Sequence, residues 1–323
     1  MAELERGREI AGRIVENVKR VIVGKDQAIE LGAIALICQG HVLIEDVPGV
    51  GKTMLARSLA RSSGSTFRRI QFTPDLLPSD VTGVSIFNQK TSEFEFKPGP
   101  IISQIVLADE INRATPKTQS ALLEAMEEKQ VTVEGTTHAL PRPFTVMATQ
   151  NPVEYEGTFP LPEAQLDRFL LMITLGYPTT EEELRIVGSQ RSSHPIDTLE
   201  AVATSDEIVF MQDAAREVFV DDLVREYLVA IVESTRGDED VSLGCSPRGS
   251  ISLFRAGQAL AMVRGRDFVL PDDIKELAEP VVSHRMIITA AARMRGTKGS
   301  DVVGRIVDRL PVPGAQVKGL IGR

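Results

Sequence analysis

The sequence predicts an α/β fold in which a five-stranded parallel sheet carries helices on both faces, followed by a small all-α domain. Before about Leu175, short apolar runs alternate with stretches whose apolar residues recur at helical spacing, which is typical of a parallel sheet covered by helices. From the turn at Gly176-Tyr177-Pro178 onward, the patterns are almost wholly helical. The predicted strands span residues 41–44, 67–72, 104–108, 144–149 and 169–175.

The helical part begins at Thr180, which forms a predicted capping box with Glu183. Beyond a polar linker, helical spacing of apolar residues predicts a small bundle. Its predicted helices are 206–218, 223–235, 247–263 and 271–277. We therefore expect an α/β domain over 1–188, a linker over 189–205, a helical domain over 206–310 and a flexible Pro- and Gly-rich tail over 311–323.

Composition narrows the class of protein. The 323 residues are 42% hydrophobic and 25% charged, as in an ordinary globular protein. The formal net charge of -9 argues against broad electrostatic binding to nucleic acid or anionic membranes, which need a concentrated basic surface. Cys38 and Cys245 lie far apart, which favours reduced thiols and a cytoplasmic location. No apolar run approaches the length of a membrane span, so we expect no export signal and no membrane insertion.

A glycine-rich turn that ends in Lys52-Thr53 is the strongest chemical signal. It lies between the apolar run 42–44 and a predicted helix, so it directs backbone N–H groups and a helix N-terminus at an anion. Lys52 is predicted to reach the β- and γ-phosphates of ATP, and the Thr53 hydroxyl to bind Mg²⁺. The predicted nucleotide-contacting residues are Asp46, Val47, Pro48, Gly49, Val50, Gly51, Lys52 and Thr53.

Asp46 departs from the full P-loop pattern, which has a glycine at this position. Gly49 and Gly51 still permit close approach of the backbone to phosphate. The alternative interpretation is a chance Gly-x-Gly-Lys-Thr in a surface turn. The strand and the helix on either side favour the phosphate site.

Asp109 and Glu110 follow the apolar run 105–108, at the strand end where open α/β sheets bind ligands. We expect Asp109 to hold Mg²⁺, directly or through water, and Glu110 to accept a proton from the water that attacks the γ-phosphate. An acidic strand end that only faces solvent is the alternative.

Asn151 follows the next predicted strand along the chain, 144–149. Its amide is expected to lie between the two preceding strand ends and to orient the attacking water. The alternative is a turn-forming asparagine before Pro152.

Arg248 stands in the first turn of a predicted helix, with Ser246 as the cap and Pro247 at the first helical position. A cation there opposes the helix dipole, so a phosphate partner gives it a function. The alternative is an exposed arginine that is merely tolerated.

Five sequence blocks resemble the MoxR-type AAA+ ATPases, and the resemblance covers nearly the whole chain. The blocks are VPGVGKT (47–53), LADEINRA (107–114), ALLEAM (121–126), ATQNP (148–152) and LPEAQLDRF (161–169). The resemblance implies an AAA+ P-loop NTPase domain followed by a helical lid, with residues 21–24 near the adenine ring.

The same resemblance implies roles for three residues. Asn151 is similar to the first sensor, Arg168 to an arginine finger that acts on the nucleotide of a neighbouring copy, and Arg248 to the second sensor, through which the lid reports the γ-phosphate. A finger that acts in trans implies a homo-oligomeric ring, usually a hexamer in this family. For Arg168, an ion pair with Asp167 or Glu163 is the alternative.

The implied function is ATP hydrolysis, with ATP and Mg²⁺, that drives chaperone-like maturation of a client protein or metal-cofactor insertion. In this family a partner with a von Willebrand factor A domain often takes part. A nucleic-acid motor is one alternative, but it needs basic or aromatic residues along the predicted hairpin 130–136, which supplies neither. A nucleotide-gated scaffold with little turnover is the other alternative, but it could lack Glu110 and Arg168, and this chain has both. The histidines lack the paired spacing of a zinc site, so no metal beyond Mg²⁺ is expected.

Residues 76–100 are too long for an ordinary connection. They resemble the insertion found in MoxR, chelatase and helicase relatives. Phe87, Phe94 and Phe96 either contact a substrate or partner, or pack the insertion onto its own domain, which is the favoured interpretation.

Overall fold

The structure, a computed structural model, describes residues 2–152, 157–189 and 194–313. Residues 190–193 of the predicted linker and 314–323 of the predicted tail lie outside the described residues. The helices are α1 (Ala2–Lys19), α2 (Asp26–Ile37), α3 (Lys52–Ser62), α4 (Pro78–Thr82), α5 (Pro116–Glu128), α6 (Glu163–Leu166), α7 (Thr180–Ser189), α8 (Ser205–Ala214), α9 (Asp222–Ser234), α10 (Pro247–Val263), α11 (Pro271–Val282), α12 (Ala290–Met294) and α13 (Gly299–Arg309). The strands are β1 (Val42–Glu45), β2 (Phe67–Gln71), β3 (Gly83–Asn88), β4 (Glu93–Pro98), β5 (Ile105–Asp109), β6 (Gln130–Val133), β7 (Thr136–Ala139), β8 (Thr145–Gln150), β9 (Leu171–Ile173), β10 (Val241–Leu243) and β11 (Ile287–Ile288).

The predicted five-stranded parallel sheet is confirmed. Its order is β2-β5-β8-β1-β9, and every neighbouring pair is parallel. Each of these strands falls on one of the five predicted runs. All strands therefore end at one edge of the sheet, the carboxyl edge, and begin at the other, the amino edge.

Alternate side chains of the sheet pack into two separate cores. In β1, Val42 and Ile44 pack with α1, α2 and α3, whereas Leu43 packs on the opposite face with α5. Both faces are thus covered by helices, which is why β5 is buried at every position.

The predicted helical lid is also confirmed. Its longest predicted helix, 247–263, is α10, while the predicted helix at 271–277 continues to Val282 as α11. The lid packs against the sheet domain, because α1 lies along α8 and α10, and α2 lies along α10. One core runs through both parts, so the boundaries at 188 and 206 stay a prediction. Throughout the described ranges, no helix has both the length and the apolar character needed to cross a bilayer.

Two antiparallel hairpins project from the sheet domain, β3–β4 within the insertion and β6–β7 after α5. The ring of Phe96 stacks on His138 with centroids 3.8 Å apart, which joins the two hairpins. Phe87 and Phe94 contact each other edge to face at 5.3 Å but stay 50% and 68% exposed. The favoured packing interpretation therefore holds for Phe96 and not for the other two.

Candidate active site

The predicted phosphate-binding turn connects β1 to α3, which begins at Lys52. Gly49 and Gly51 have positive φ angles of 88° and 99°, and a Cβ built on either meets no atom within 4 Å. Both glycines border a cavity of about 360 Å³ together with Lys52 and Thr53. The turn therefore leaves its backbone open to a ligand at the N-terminus of α3, as phosphate binding requires.

Asp109 and Glu110 line the same cavity at the carboxyl edge. Thr149 donates its hydroxyl hydrogen to Asp109 Oδ1 at 2.6 Å. Asp109 Oδ2 accepts hydrogen bonds from Arg69 Nε at 2.9 Å and Nη2 at 2.6 Å. Glu110 Oε2 accepts a hydrogen bond from Gln71 Nε2 at 2.7 Å. The two strands beside β5 thus hold both carboxylates in place.

The sequence alone does not point to Arg69, Gln71 or Thr149. Polar residues alternate with Ile70 along β2, and the register places Gln71 beside Asp109. The alternation is visible in the sequence. It does not show that these side chains reach Asp109, because the order of the strands depends on pairing between distant segments.

Asn151 is buried after β8 and borders the same cavity, so the structure brings it together with Lys52 and Glu110. Residues 153–156, which follow it, lie outside the described residues. The backbone of Glu110 is left-handed, with φ 56° and ψ 50°. Strained non-glycine residues of this kind concentrate at functional sites.

The donor set fits magnesium. The Thr53 hydroxyl and the Asp109 carboxylate border one cavity and offer oxygen atoms, which Mg²⁺ prefers. Within the described part of the chain, no group of three or more His, Cys, Asp or Glu side chains is placed to hold a metal. Mg²⁺ is usually held by one or two protein groups together with substrate phosphates and water, which agrees with this pair.

A second cavity, of about 210 Å³, shares Gly49, Gly51 and Met54 with the first. Most of its lining is apolar, which suits a purine ring. The apolar lining residues are Val21, Ile22, Val23, Val50, Met54, Pro178 and Ile186. The segment that the resemblance places near adenine thus lies beside the phosphate-binding turn.

The Asp46 carboxylate does not line either of these cavities. Its Oδ1 accepts the N–H of Val47 at 2.8 Å, and its Oδ2 accepts the N–H groups of Leu175 and Gly176, both at 2.7 Å. The backbone carbonyl of Asp46 accepts a hydrogen bond from Lys52 Nζ at 2.6 Å. The side chain therefore joins the start of the phosphate-binding turn to the segment that follows β9.

Arg168 lies at the opposite edge of the sheet from these groups. It precedes β9, which runs parallel to β1 with Val42 opposite Leu171, so Arg168 stands at the amino edge. The turn at 46–53 follows the carboxyl end of β1, and a four-residue strand such as β1 spans roughly 13 Å. Arg168 Nε forms an ion pair with Glu127 Oε2 at 3.1 Å.

Arg248 lies beside Arg168. The predicted cap is present, because Ser246 Oγ accepts the N–H of Arg248 and Pro247 is the first residue of α10. Arg248 Nη2 donates to Glu127 Oε1 at 2.7 Å, so one carboxylate holds both arginines. Both line a cavity of about 230 Å³ that shares no residue with the P-loop cavity. The structure therefore does not bring Arg248 together with Lys52 of the same chain.

The lid is fastened to the amino edge by a buried arginine. Arg285 Nη1 donates to Asp167 Oδ1 at 2.5 Å and to the carbonyl of Asp167 at 2.8 Å. Its Nη2 donates to the carbonyl of Phe169 at 2.6 Å. These contacts hold the residues on either side of Arg168. Ser246, the cap of α10, donates its hydroxyl to Asp167 Oδ2 at 3.2 Å, which keeps Arg248 nearby.

His41, His284 and Cys245 are buried, and Cys38 is half-buried. Burial lowers the pKa of His41 to about 4 and that of His284 to about 3. Burial raises the pKa of the Cys38 thiol to about 12 and that of Cys245 to about 11. Neither thiol is a thiolate at neutral pH, so neither is an activated nucleophile.

Two family models match the chain in succession. Residues 41–171 match the ATPase family associated with various cellular activities (AAA), and residues 233–306 match the AAA lid domain. The uncharacterized protein YeaC of Bacillus subtilis is 56% identical, over 97% of this chain and 98% of YeaC. Chaperone MoxR1 of Mycobacterium tuberculosis is 43% identical, over 93% of this chain and 82% of MoxR1. A crystal structure of a candidate ATPase from Cytophaga hutchinsonii has a TM-score of 0.88 and 38% identity, over 96% of this chain and 97% of that one.

Proposed function

The chain belongs to the MoxR family of chaperone-like AAA+ ATPases, and from that premise we propose that it hydrolyses ATP at sites shared between neighbouring copies. Lys52 and the backbone of its turn bind the β- and γ-phosphates at the carboxyl edge. The apolar cavity beside Val21 and Met54 receives the adenine ring.

The hydrolytic step uses the strand ends. Glu110, positioned by Gln71, accepts the proton of the attacking water, and Asn151 orients that water. Thr53 and Asp109 would hold Mg²⁺, and the ion would offset the negative charge of the phosphates.

The opposite placement of Arg168 and the P-loop is the single observation that carries the proposal. An arginine at the amino edge of one copy can meet only the triphosphate of another copy. Arg168 and Arg248 share a cavity, so both act on the same neighbour. In a separate chain Glu127 forms ion pairs with both guanidinium groups and leaves one positive charge in excess, and the γ-phosphate of the neighbour replaces it on assembly.

A repeating contact between one amino edge and the next carboxyl edge is heterologous, and it forms a ring when the rotation between copies closes, as the family resemblance implies. We take this ring to be a hexamer in the cytoplasm, which agrees with two free cysteines in the described residues. Its output is remodelling of a client protein, in line with the chaperone MoxR1. The exposed Phe87 and Phe94 offer a surface for that client. The proposed task is maturation of the client, with metal-cofactor insertion as one form of it, together with a partner that carries a von Willebrand factor A domain.

Steady-state ATPase assays of the wild type and Glu110→Gln test this function. We expect turnover to fall at least about a hundredfold in Glu110→Gln, because the proton acceptor is lost. Glu124→Gln, an exposed glutamate on α5, is the matched control and should keep full turnover. Equal turnover in the two variants would reject the assignment, and stimulation by single-stranded DNA would favour a nucleic-acid motor instead.

A further inference from the structure

Asp46 is a carboxylate in a place where the full P-loop pattern has a glycine. A negative charge beside bound phosphates is unfavourable if it faces them. In this structure Asp46 is only 6% exposed and its carboxylate turns away from the phosphate cavity. Its presence therefore needs another explanation.

The hydrogen-bond partners of Asp46 supply one. Its Oδ2 accepts two consecutive backbone N–H groups, from Leu175 and Gly176, which lie 129 and 130 residues away in the sequence. Gly176 has a φ of 65°, so the turn that presents both N–H groups to one oxygen suits glycine. Hydrogen bonds to a charged acceptor are about twice as strong as neutral ones. Asp46 thus fixes the turn that follows β9.

That turn leads directly into the wall of the apolar cavity. Pro178 lines the cavity two residues after Gly176. The carbonyl of Tyr177, between them, accepts a hydrogen bond from Lys25 Nζ at 2.9 Å. Val50 and Met54 of the phosphate-binding segment form another part of the same lining. One side chain therefore links the segment that contacts phosphate to the segment beside the base.

We propose that Asp46 is a positioning residue that sets the base-side wall of the nucleotide site relative to the phosphate-binding turn. It touches neither phosphate nor base, and it acts through Leu175, Gly176 and Pro178. This inference rests on the proposed function, because it assumes that a purine occupies the cavity beside Val50. It predicts that loss of Asp46 weakens binding of the base portion and leaves the phosphate portion intact.

The test compares two probes, ATP and inorganic tripolyphosphate, each with Mg²⁺, as competitors of a fluorescent ADP. Asp46→Gly restores the glycine of the P-loop pattern, so a role confined to that turn predicts no loss. We expect Asp46→Gly to bind ATP about tenfold more weakly, since hydrogen bonds to a charged group are lost, with tripolyphosphate affinity unchanged. Asp46→Asn keeps the shape of the side chain but not its charge, so its ATP affinity should lie between those of the wild type and Asp46→Gly. Asp221→Asn, a capping carboxylate of α9 in the lid, is the matched control and should match the wild type.

Equal loss for both probes, or no loss for ATP, would overturn the inference. Urea unfolding of each variant without nucleotide separates misfolding from altered binding. If Asp46→Gly does not fold, the ratio of the two affinities in Asp46→Asn decides. A wild-type protein that binds neither probe would instead reject the proposed function.

Discussion

The two edges of the central sheet differ in what their cavities contain, and in the proposed function each edge supplies one half of a shared site. At the carboxyl edge, Lys52, Asp109 and Glu110 surround an open cavity. At the amino edge, Arg168 and Arg248 both pair with the Glu127 carboxylate in a separate cavity. The first half is ready for a phosphate ligand, whereas the second is paired with a carboxylate. If the proposed function is right, the fold fixes Arg168 and Arg248 in place, but they act only when a second copy brings its nucleotide to them.

The edges also differ in how they are built. Backbone turns at strand ends form the carboxyl edge, where Gly49 and Gly51 leave room for a ligand. Side chains of the lid form much of the amino edge, where Arg285 binds the segment from Asp167 to Phe169. A change in lid docking would therefore move Arg248 and Arg285 and leave the P-loop in place.

The largest effect is expected for Arg168→Ala. Turnover should fall about a thousandfold, because an arginine finger is lost. ATP affinity of dilute, separate copies should not change, since Arg168 lies at the far edge from the P-loop. ATPase assays measure the turnover, and titration with a fluorescent nucleotide measures the affinity. A loss of affinity in Arg168→Ala as large as that in Lys52→Ala would show that both edges serve one nucleotide in the same chain.

A smaller effect is expected for Arg285→Ala, which removes the buried anchor of the lid. Asp167 keeps 22% of its side-chain surface exposed, so the cost should be below that of a fully buried pair, about 2 kcal/mol. Urea denaturation measures the change in the free energy of unfolding. Arg293→Ala, an exposed arginine of α12, is the control. Equal stability of the two variants would contradict the anchoring role.

The smallest effect concerns pH at the amino edge. His41 precedes β1, and His284 Nε2 lies 3.1 Å from the carbonyl of Phe169. Burial lowers the pKa of both below the ordinary value of 6.5, so the folded state favours the neutral ring. The contribution of each ring to stability is present above about pH 6.5. It is lost as the pH falls towards about 4 for His41 and about 3 for His284. The midpoint of urea unfolding, measured from about pH 7.5 to about pH 4.5, should fall less steeply in His41→Gln than in the wild type. Parallel curves of midpoint against pH would contradict this prediction.

Local patterns in the sequence were enough to predict the strands, the phosphate-binding turn and α10. Periodicity and the residues that begin helices act over a few positions, so they can be read from one chain. The strand order that brings Arg69 and Gln71 to Asp109 depends on pairing between distant segments. The ion pairs of Glu127 with Arg168 and Arg248 depend on such pairing too, and so does the hydrogen bond that Asp46 accepts from the N–H of Leu175. Each of these contacts joins segments that only the folded chain brings together.

Mixing two inactive variants tests the shared site most directly. Lys52→Ala lacks the phosphate-binding lysine but keeps Arg168, and Arg168→Ala has the reverse defect. In a ring with sites between copies, an equal mixture should recover roughly a quarter of the wild-type ATPase activity, because one neighbour pair in four is complete. A mixture no more active than the separate variants, when both are shown to assemble together, would contradict hydrolysis across the interface.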